Sequence, residues 1–345
     1  MSMETPVIYV WIGSRLPSWT SEFIIHCMNA NANRRFILIT DFKQEGIWDR
    51  QNLKIHTIES PFRDIDEGFM ERTEQGFWQN TSLRFPAIWK FCIDAGIEKF
   101  FHIELDNIIS NIDFLEDRLS HLGCGIFAPR DNIDRVIGSF IYCNRLQCLV
   151  ELIDIYKEAG TTNDMVALGQ YAVKYPEHFW ALPTESYMHN QHLFKLIDPT
   201  YCFGIFDAAS IGQYMFGVDP MHRRYQPLRN CFVNENCKLD WRLARLKIEN
   251  GLTFLGIMSD ESSEKVYWHR IFNLHVHSKS YQAVREFYSQ GLIYKRLLQG
   301  KSTVICNMNN YYLGPPKCIR DYILQFGRKL RKAMRLVLNV IREQR

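Results

Sequence analysis

The chain has 345 residues, 46% hydrophobic and 23% charged, with a formal net charge of +3, an ordinary balance for a globular protein with ample core and room for one large domain or two smaller ones. Residues 317–345 carry nine Lys and Arg against two acids, so they are +7 and the rest of the chain is mildly acidic at −4; basic charge gathered in one tail argues against a nucleic-acid partner. No run of about 18 apolar residues suits a membrane span, the opening MSMETPVIYVWIG reads as a strand rather than a signal peptide, and the ten Cys contain no C-x-x-C pair, which argues against zinc ribbons and redox dithiols and fits reduced thiols in a cytosol.

Residues 7–12 form a β-rich apolar run ended by Gly13-Ser14. A helix-like segment starts at Ser18 or Ser21 and passes His26 and Asn29, and a second β-rich run covers 36–41. Strand, helix and strand in about 35 residues make a βαβ unit and predict an α/β fold with a parallel sheet. Ligands in such sheets sit at the carboxyl ends of the strands, which places Trp11, Gly13 and Asp41 at a shared mouth. No G-x-G-x-x-G or P-loop motif is present. Residues 53–58 read as a third strand, 61–80 as a polar loop, and 81–95 as a helix with Arg84 in its first turn beside a cleft.

Residues 99–113, KFFHIELDNIISNID, carry the strongest signal. A short apolar run ends in Glu104-Leu105-Asp106, as a buried strand does when its end surfaces in a cleft. Residues two apart on a strand point the same way, so Glu104 and Asp106 share one site. Paired carboxylates there suit Mg²⁺ or Mn²⁺ holding a diphosphate; solvated acids at an ordinary strand end are the plain alternative. Further strands are expected at 124–129 and 138–144, and a helix at 146–159. Thr162-Asn163-Asp164 offers an N-cap for a helix through Tyr175, with a catalytic role for Asp164 as the second reading.

The stretch 203–220, FGIFDAASIGQYMFGVDP, reads as a substrate-facing loop because small residues let backbone approach a ligand. Residues 241–249 are expected to be helical and 252–257 a strand. In 271–279, IFNLHVHSK, alternation puts Asn273, His275 and His277 on one face, ahead of Lys279 as a point charge for phosphate. Apolar positions from Ile319 to Ile341 recur at steps of three and four, so 318–345 is an amphipathic helix with a basic face, suited to an anionic membrane surface or a partner. Gly314-Pro315-Pro316 marks the break before it.

HIELDN, FDAASIGQY-x-x-GVDP and NLHVHSK, in this order, resemble the GT-A glycosyltransferases, the metal-dependent nucleotide-sugar enzymes with a D-x-D motif, across residues 6–280. The resemblance implies a Rossmann-like GT-A fold with a mostly parallel central sheet. It assigns residues 1–312 to the transferase domain, with a nucleotide half at 1–110 and an acceptor and metal half at 111–312, followed by the tail at 313–345. It implies Mn²⁺ or Mg²⁺ on Asp106 and Glu104, and on His277 or His275 with the former favoured. Tyr9, Trp11, Gly13 and Asp41 would hold the nucleoside, with Arg84 and Lys279 on the phosphates. An inverting course would need a carboxylate base, for which Asp207 ranks first and Asp219 and Glu235 follow; a retaining course would not. The chain lacks the H-x-x-G-x-x-K-P-W element of the glycogenin-like members. The expected partners are a nucleotide-sugar donor and a glycan or lipid-linked acceptor, in the cytoplasm or at the inner face of a membrane. A metal-dependent phosphoesterase and a non-catalytic binding scaffold are the competing readings.

Overall fold

Alternation within β1 (Val7–Trp11) and β2 (Phe36–Thr40) sends Val7, Tyr9, Phe36 and Leu38 into one core and Ile8, Ile37 and Ile39 into another. Strands that are apolar on both faces need cover on both faces, the condition met by a parallel sheet wrapped in crossover helices. The computed structural model describes residues 5–13, 16–41, 53–57, 77–159, 163–216, 237, 239, 243–258 and 265–290. Within it β1 and β2 join β3 (Leu53–Thr57), β4 (Phe100–Ile103), β6 (Ile126–Pro129), β7 (Phe140–Cys143) and β8 (Phe179–Leu182). They form a seven-stranded sheet in the order β3-β2-β1-β4-β7-β6-β8. Pairing is parallel from β3 through β4 and between β6 and β8, while β7 runs antiparallel to both of its neighbours. The sheet is mostly parallel, as expected, with one reversed strand. β8 has no counterpart in the sequence reading.

Helices α1 (Thr20–Ala30), α2 (Phe77–Ala95), α3 (Asp113–Leu122), α4 (Gln147–Ala159) and α5 (Asp164–Lys174) accompany the sheet. α2 starts four residues before the expected 81 and runs through Pro86, so Arg84 stands well inside it rather than in the first turn. The cap of α5 is Asn163, whose side chain accepts from the N–H groups of Met165 and Val166. That leaves Asp164 free to point inward.

A second sheet, β10-β11-β12-β9, combines β10 (Ala244–Glu249), β11 (Leu252–Met258), β12 (Val266–Ile271) and β9 (Gly204–Ile205). β10 corrects the helix expected at 241–249. Its helix-favouring residues are overridden by a two-residue hairpin loop, Asn250-Gly251, in which both residues have left-handed φ of 52° and 74°. Ala244 and Leu246 are then buried on one face of the hairpin. The stretch expected as one strand over 271–279 is divided. After β12 the chain forms β13 (Asn273–His275), which pairs antiparallel with β5 (Asn107–Ile109), and then turns.

The small-residue stretch is less loop-like than expected. It follows α6 (Pro199–Cys202), contributes β9, and continues into α7 (Ile211–Phe216). A last helix, α8, covers Tyr281–Gln290. The loop reading at 61–76, Asp219, Glu235 and the tail from 313 fall outside the described residues. No described helix is long and apolar enough to cross a membrane.

Candidate functional site

β4 is central in the sheet, and the chain leaves it through Glu104, Leu105 and Asp106 before entering β5. The turn is tied down at both ends: the Glu104 N–H donates to the Ser139 carbonyl at 3.1 Å, and the Asn107 N–H donates to the Glu104 carbonyl at 3.0 Å. The register of β13 on β5 sets His275 opposite Asn107, and the Val276 N–H donates to the Asp106 carbonyl at 2.8 Å. An imidazole far along the chain is thereby brought to the acids. His275 Nε2 lies 3.2 Å from Asp106 Oδ1 and 3.3 Å from Glu104 Oε2. Ligand atoms of these three residues lie within 4.8 Å of one another. The Nδ1 of His275 is buried with no hydrogen-bond partner among the described residues. The sequence favours His277, yet that ring lies beside His275, tilted by 34° at 3.9 Å between centroids, and is not among the three clustered groups. The strand ends at His275, and the chain turns at His277.

Lys279 completes this group, donating from Nζ to Asp106 Oδ2. Its backbone is left-handed, φ 57°, a costly conformation for a residue with a Cβ. Burial opposes the charge on Asp106, but Lys279, His275 and His277 together hold its carboxyl well below the usual carboxylate range. Burial likewise works against a charged His275, and the carboxylates of Asp106 and Glu104 overcome it, so the imidazole holds its proton more tightly than usual. The cluster is an anionic pair balanced by cationic neighbours, a state that a divalent cation could also balance.

Arg84 is buried. Its Nη1 donates to Glu104 Oε1 and its Nη2 to Asp164 Oδ2. Burial alone would lower the guanidinium pKa, but the two carboxylates, Glu104 foremost, raise it. Gly138 makes room for it, since a Cβ there would stand 2.4 Å from Arg84 Nη2. Asp164, read first as a cap, is the inner partner of this ion pair, and burial pushes its carboxyl up even so.

Asp207 is fully buried and both of its oxygens are occupied. Oδ1 accepts from the N–H groups of Ser210 and Ile211 at 2.7 and 2.8 Å, and Oδ2 from those of Gly212 and His275 at 2.8 and 2.9 Å. Four backbone donors use all the lone pairs of one carboxylate, so this group caps α7 and anchors β13. Beside it stands Glu185, which the sequence reading passed over. Its Oε2 accepts from the Ala208 N–H at 3.4 Å, its Oε1 has no partner among the described residues, and burial followed by the Asp207 charge pushes its carboxyl up to about 8. An acid just after an apolar run, here FWAL-PT-E, was the available signal.

Of the residues expected around the nucleoside, Tyr9 is fully buried in the core against Phe36. Its position in β1 points it into the sheet's packing, not to the mouth. Trp11 is half-buried at the end of β1, and the Gly13 N–H donates to both oxygens of Asp41 at 3.0 and 3.1 Å. β1 lies beside β4 in the sheet, so these residues and the acids occupy neighbouring strand ends.

No family model matches the chain, and no curated protein does. Among solved structures it is similar to mouse xyloside xylosyltransferase 1 in its apo form, with a TM-score of 0.37 and 9% identity over 57% of this chain and 95% of that one. It is also similar to the galactosyltransferase LgtC in complex with donor and acceptor sugar analogues, with a TM-score of 0.39 and 11% identity over 57% of this chain and 81% of that one. Both are glycosyltransferases by name.

Proposed function

We propose that this chain is a glycosyltransferase that moves a sugar from a nucleoside diphosphate to a glycan or lipid-linked acceptor, using Mn²⁺ or Mg²⁺ held by Glu104, Asp106 and His275. What carries the reading is the convergence of two carboxylates at the end of a central strand with an imidazole from β13. An isolated E-x-D arises by chance; one completed by a distant His does not do so readily. Two carboxylates and one imidazole fit Mn²⁺ or Mg²⁺ and leave positions for phosphate oxygens. Bound there, the ion supplies charge stabilisation to the diphosphate as the sugar–phosphate bond breaks.

The chain's own residues do the rest. Lys279 is a quarter exposed and offers its ammonium to a diphosphate oxygen on the solvent side of Asp106. Arg84 acts one step back, holding Glu104 in place rather than touching phosphate. Trp11 gives a ring edge or face for the base, and the Asp41 carboxylate, held by the Gly13 N–H, a place for the ribose. On this reading residues 1–312 are the transferase domain, divided near 110 into nucleotide and acceptor halves. The basic tail, 318–345, brings it from the cytoplasm to anionic lipid; flotation with anionic liposomes should be lost when the tail is deleted, and equal flotation would refute that part.

A thermal-shift screen against UDP, GDP, CDP and dTDP, each with Mn²⁺ or with EDTA, tests the main reading. A ligand that binds only the folded state raises its melting temperature. One nucleotide should raise it only with metal, which also names the donor base. Nucleotide binding indifferent to EDTA, or no shift with any nucleotide, would overturn the reading in favour of a non-catalytic scaffold.

A further inference from the structure

The far end of the sheet holds a second group of metal-ligating side chains that the proposed transfer does not use. Cys148 and Glu151 stand three apart on α4 and so share a helix face. His178 ends the single helical turn Pro176–His178 that leads into β8. Ligand atoms of these three residues lie within 4.8 Å of one another. We propose that Cys148, Glu151 and His178 bind a thiolate-preferring divalent cation, Zn²⁺ above all, with Cys124 as the fourth ligand.

The topology separates this site from the cleft. Cys143, the last residue of β7, pairs with Phe100 and Ile126, the first residues of β4 and β6. Cys124 and His178 precede β6 and β8, so the cluster lies at the strands' entering ends, whereas Glu104 and Asp106 lie where β4 leaves. The carboxylate of Glu151 is already oriented. It accepts from the Tyr171 hydroxyl at 3.0 Å and lies 2.9 Å from His178 Nδ1, the kind of outer support that metal ligands carry. Cys124 is exposed, and the residue after it, Gly125, runs against His178: a Cβ there would stand 2.1 Å from the His178 carbonyl oxygen. The neighbouring thiol of Cys143 is already engaged with the Arg145 carbonyl at 3.3 Å.

Zinc bonds of about 2.0–2.3 Å put tetrahedral donor atoms roughly 3.3–3.8 Å apart, so the widest pair closes by at most about 1.5 Å while Glu151 and His178, 2.9 Å apart, open slightly, movements that their half-buried side chains can supply. A thiolate with an imidazole and a carboxylate selects Zn²⁺ over Mg²⁺ or Mn²⁺. Binding releases the Cys148 and Cys124 thiol protons to solvent. His178 ligates through Nδ1, so its ring proton moves to Nε2, and the exposed Arg145 guanidinium, 3.4 Å from that nitrogen, swings away. The ion then pins α4 to the segments entering β6 and β8.

The full chain, stripped with a chelator, is titrated with Co²⁺ and then Zn²⁺. The cleft group contains no sulfur, so thiolate-to-cobalt charge-transfer absorption reports on this site alone. We expect that band to saturate at about one Co²⁺ per chain and to disappear as Zn²⁺ displaces it, while Zn²⁺ raises the melting temperature. Cys148→Ala should remove at least half of the band and weaken binding, Cys148→Ala/Cys124→Ser should abolish the band, and His178→Ala, which alters a half-buried ring and spares the core, should weaken binding about tenfold or more. Asp106→Asn should leave it unchanged. Absence of the band, or a band unchanged in intensity and affinity in both Cys148→Ala and His178→Ala, would overturn the site. Unchanged affinity in Cys124→Ser would overturn the fourth ligand.

Discussion

Replacing Arg84 with Ala tests whether the acids at the end of β4 are held by a compensated charge. The guanidinium and the Asp164 side chain are each 6% exposed, and Glu104 is 24% exposed. Without the cation, Asp164 retains the Met165 N–H at 2.9 Å and loses its countercharge in a buried place. Breaking a buried pair from one side costs about 3–5 kcal/mol, roughly two to three and a half decades in the folding equilibrium constant. The deficit has a definite pH dependence. Burial already lifts the folded-state pKa of Asp164 above its unfolded value, and losing Arg84 lifts it further. Between those two values the folded protein holds a proton that the unfolded chain releases, so stability falls as pH rises and recovers as pH falls toward about 4. Urea midpoints at about pH 7.5 and about pH 4.5 measure this, with a larger deficit at the higher pH. The double variant Arg84→Ala/Asp164→Asn should regain much of the loss, because no buried charge is then left alone. A deficit under about 1 kcal/mol, or one equal at both pH values, would refute the reasoning.

Asp106→Asn should lower sugar transfer by at least about a hundredfold, the scale of one preorganised electrostatic contact, and remove the metal dependence of nucleotide thermal shifts; a folded variant with unchanged turnover would refute the assignment. Gly138→Ala puts a Cβ 2.4 Å from Arg84 Nη2, so it should destabilise by about 1–3 kcal/mol by overpacking and reduce transfer, with urea titration and turnover as the checks. Glu185 has its folded pKa pushed up to about 8 by burial and then by Asp207, against roughly 4.3 unfolded. It holds a proton that the unfolded chain lacks, so it lowers stability progressively across that window. Glu185→Gln should therefore match the parent near pH 4 and exceed it by more than about 1 kcal/mol near pH 8; parallel stability curves would show that the carboxyl is not neutral when folded.

Much of the fold was legible because it is written in local periods. β1 and β2 alternate between two buried faces, α4 and α5 start and stop within a residue or two of their sequence signals, and the apolar run broken by Glu104 and Asp106 announced a strand end. Residues of one element report their own spacing. Local preference also failed visibly at β10, where Ala, Leu, Arg and Lys favour a helix, and the Asn250-Gly251 hairpin with its pairing to β11 prevailed. The turn signal was present, and nothing nearby said which preference would win.

The site was legible only in its residue types. Glu104 with Asp106, and a late His with a Lys, could be named from the sequence; that His275 rather than His277 lies between the acids depends on where β13 stops against β5. That Asp207 is saturated depends on four N–H groups arriving from α7 and β13. The burial of Arg84 depends on Asp164 and on the space left by Gly138. Cys148, Glu151 and His178 match no ligand spacing at all, and only the approach of α4 to the segment before β8 gathers them. The sequence by itself determined the strands, the helices and the chemistry available at the end of β4. Strand direction, register and burial decided which of those groups meet, because each depends on chain segments far apart in sequence, and one residue of register turns a side chain to the other face.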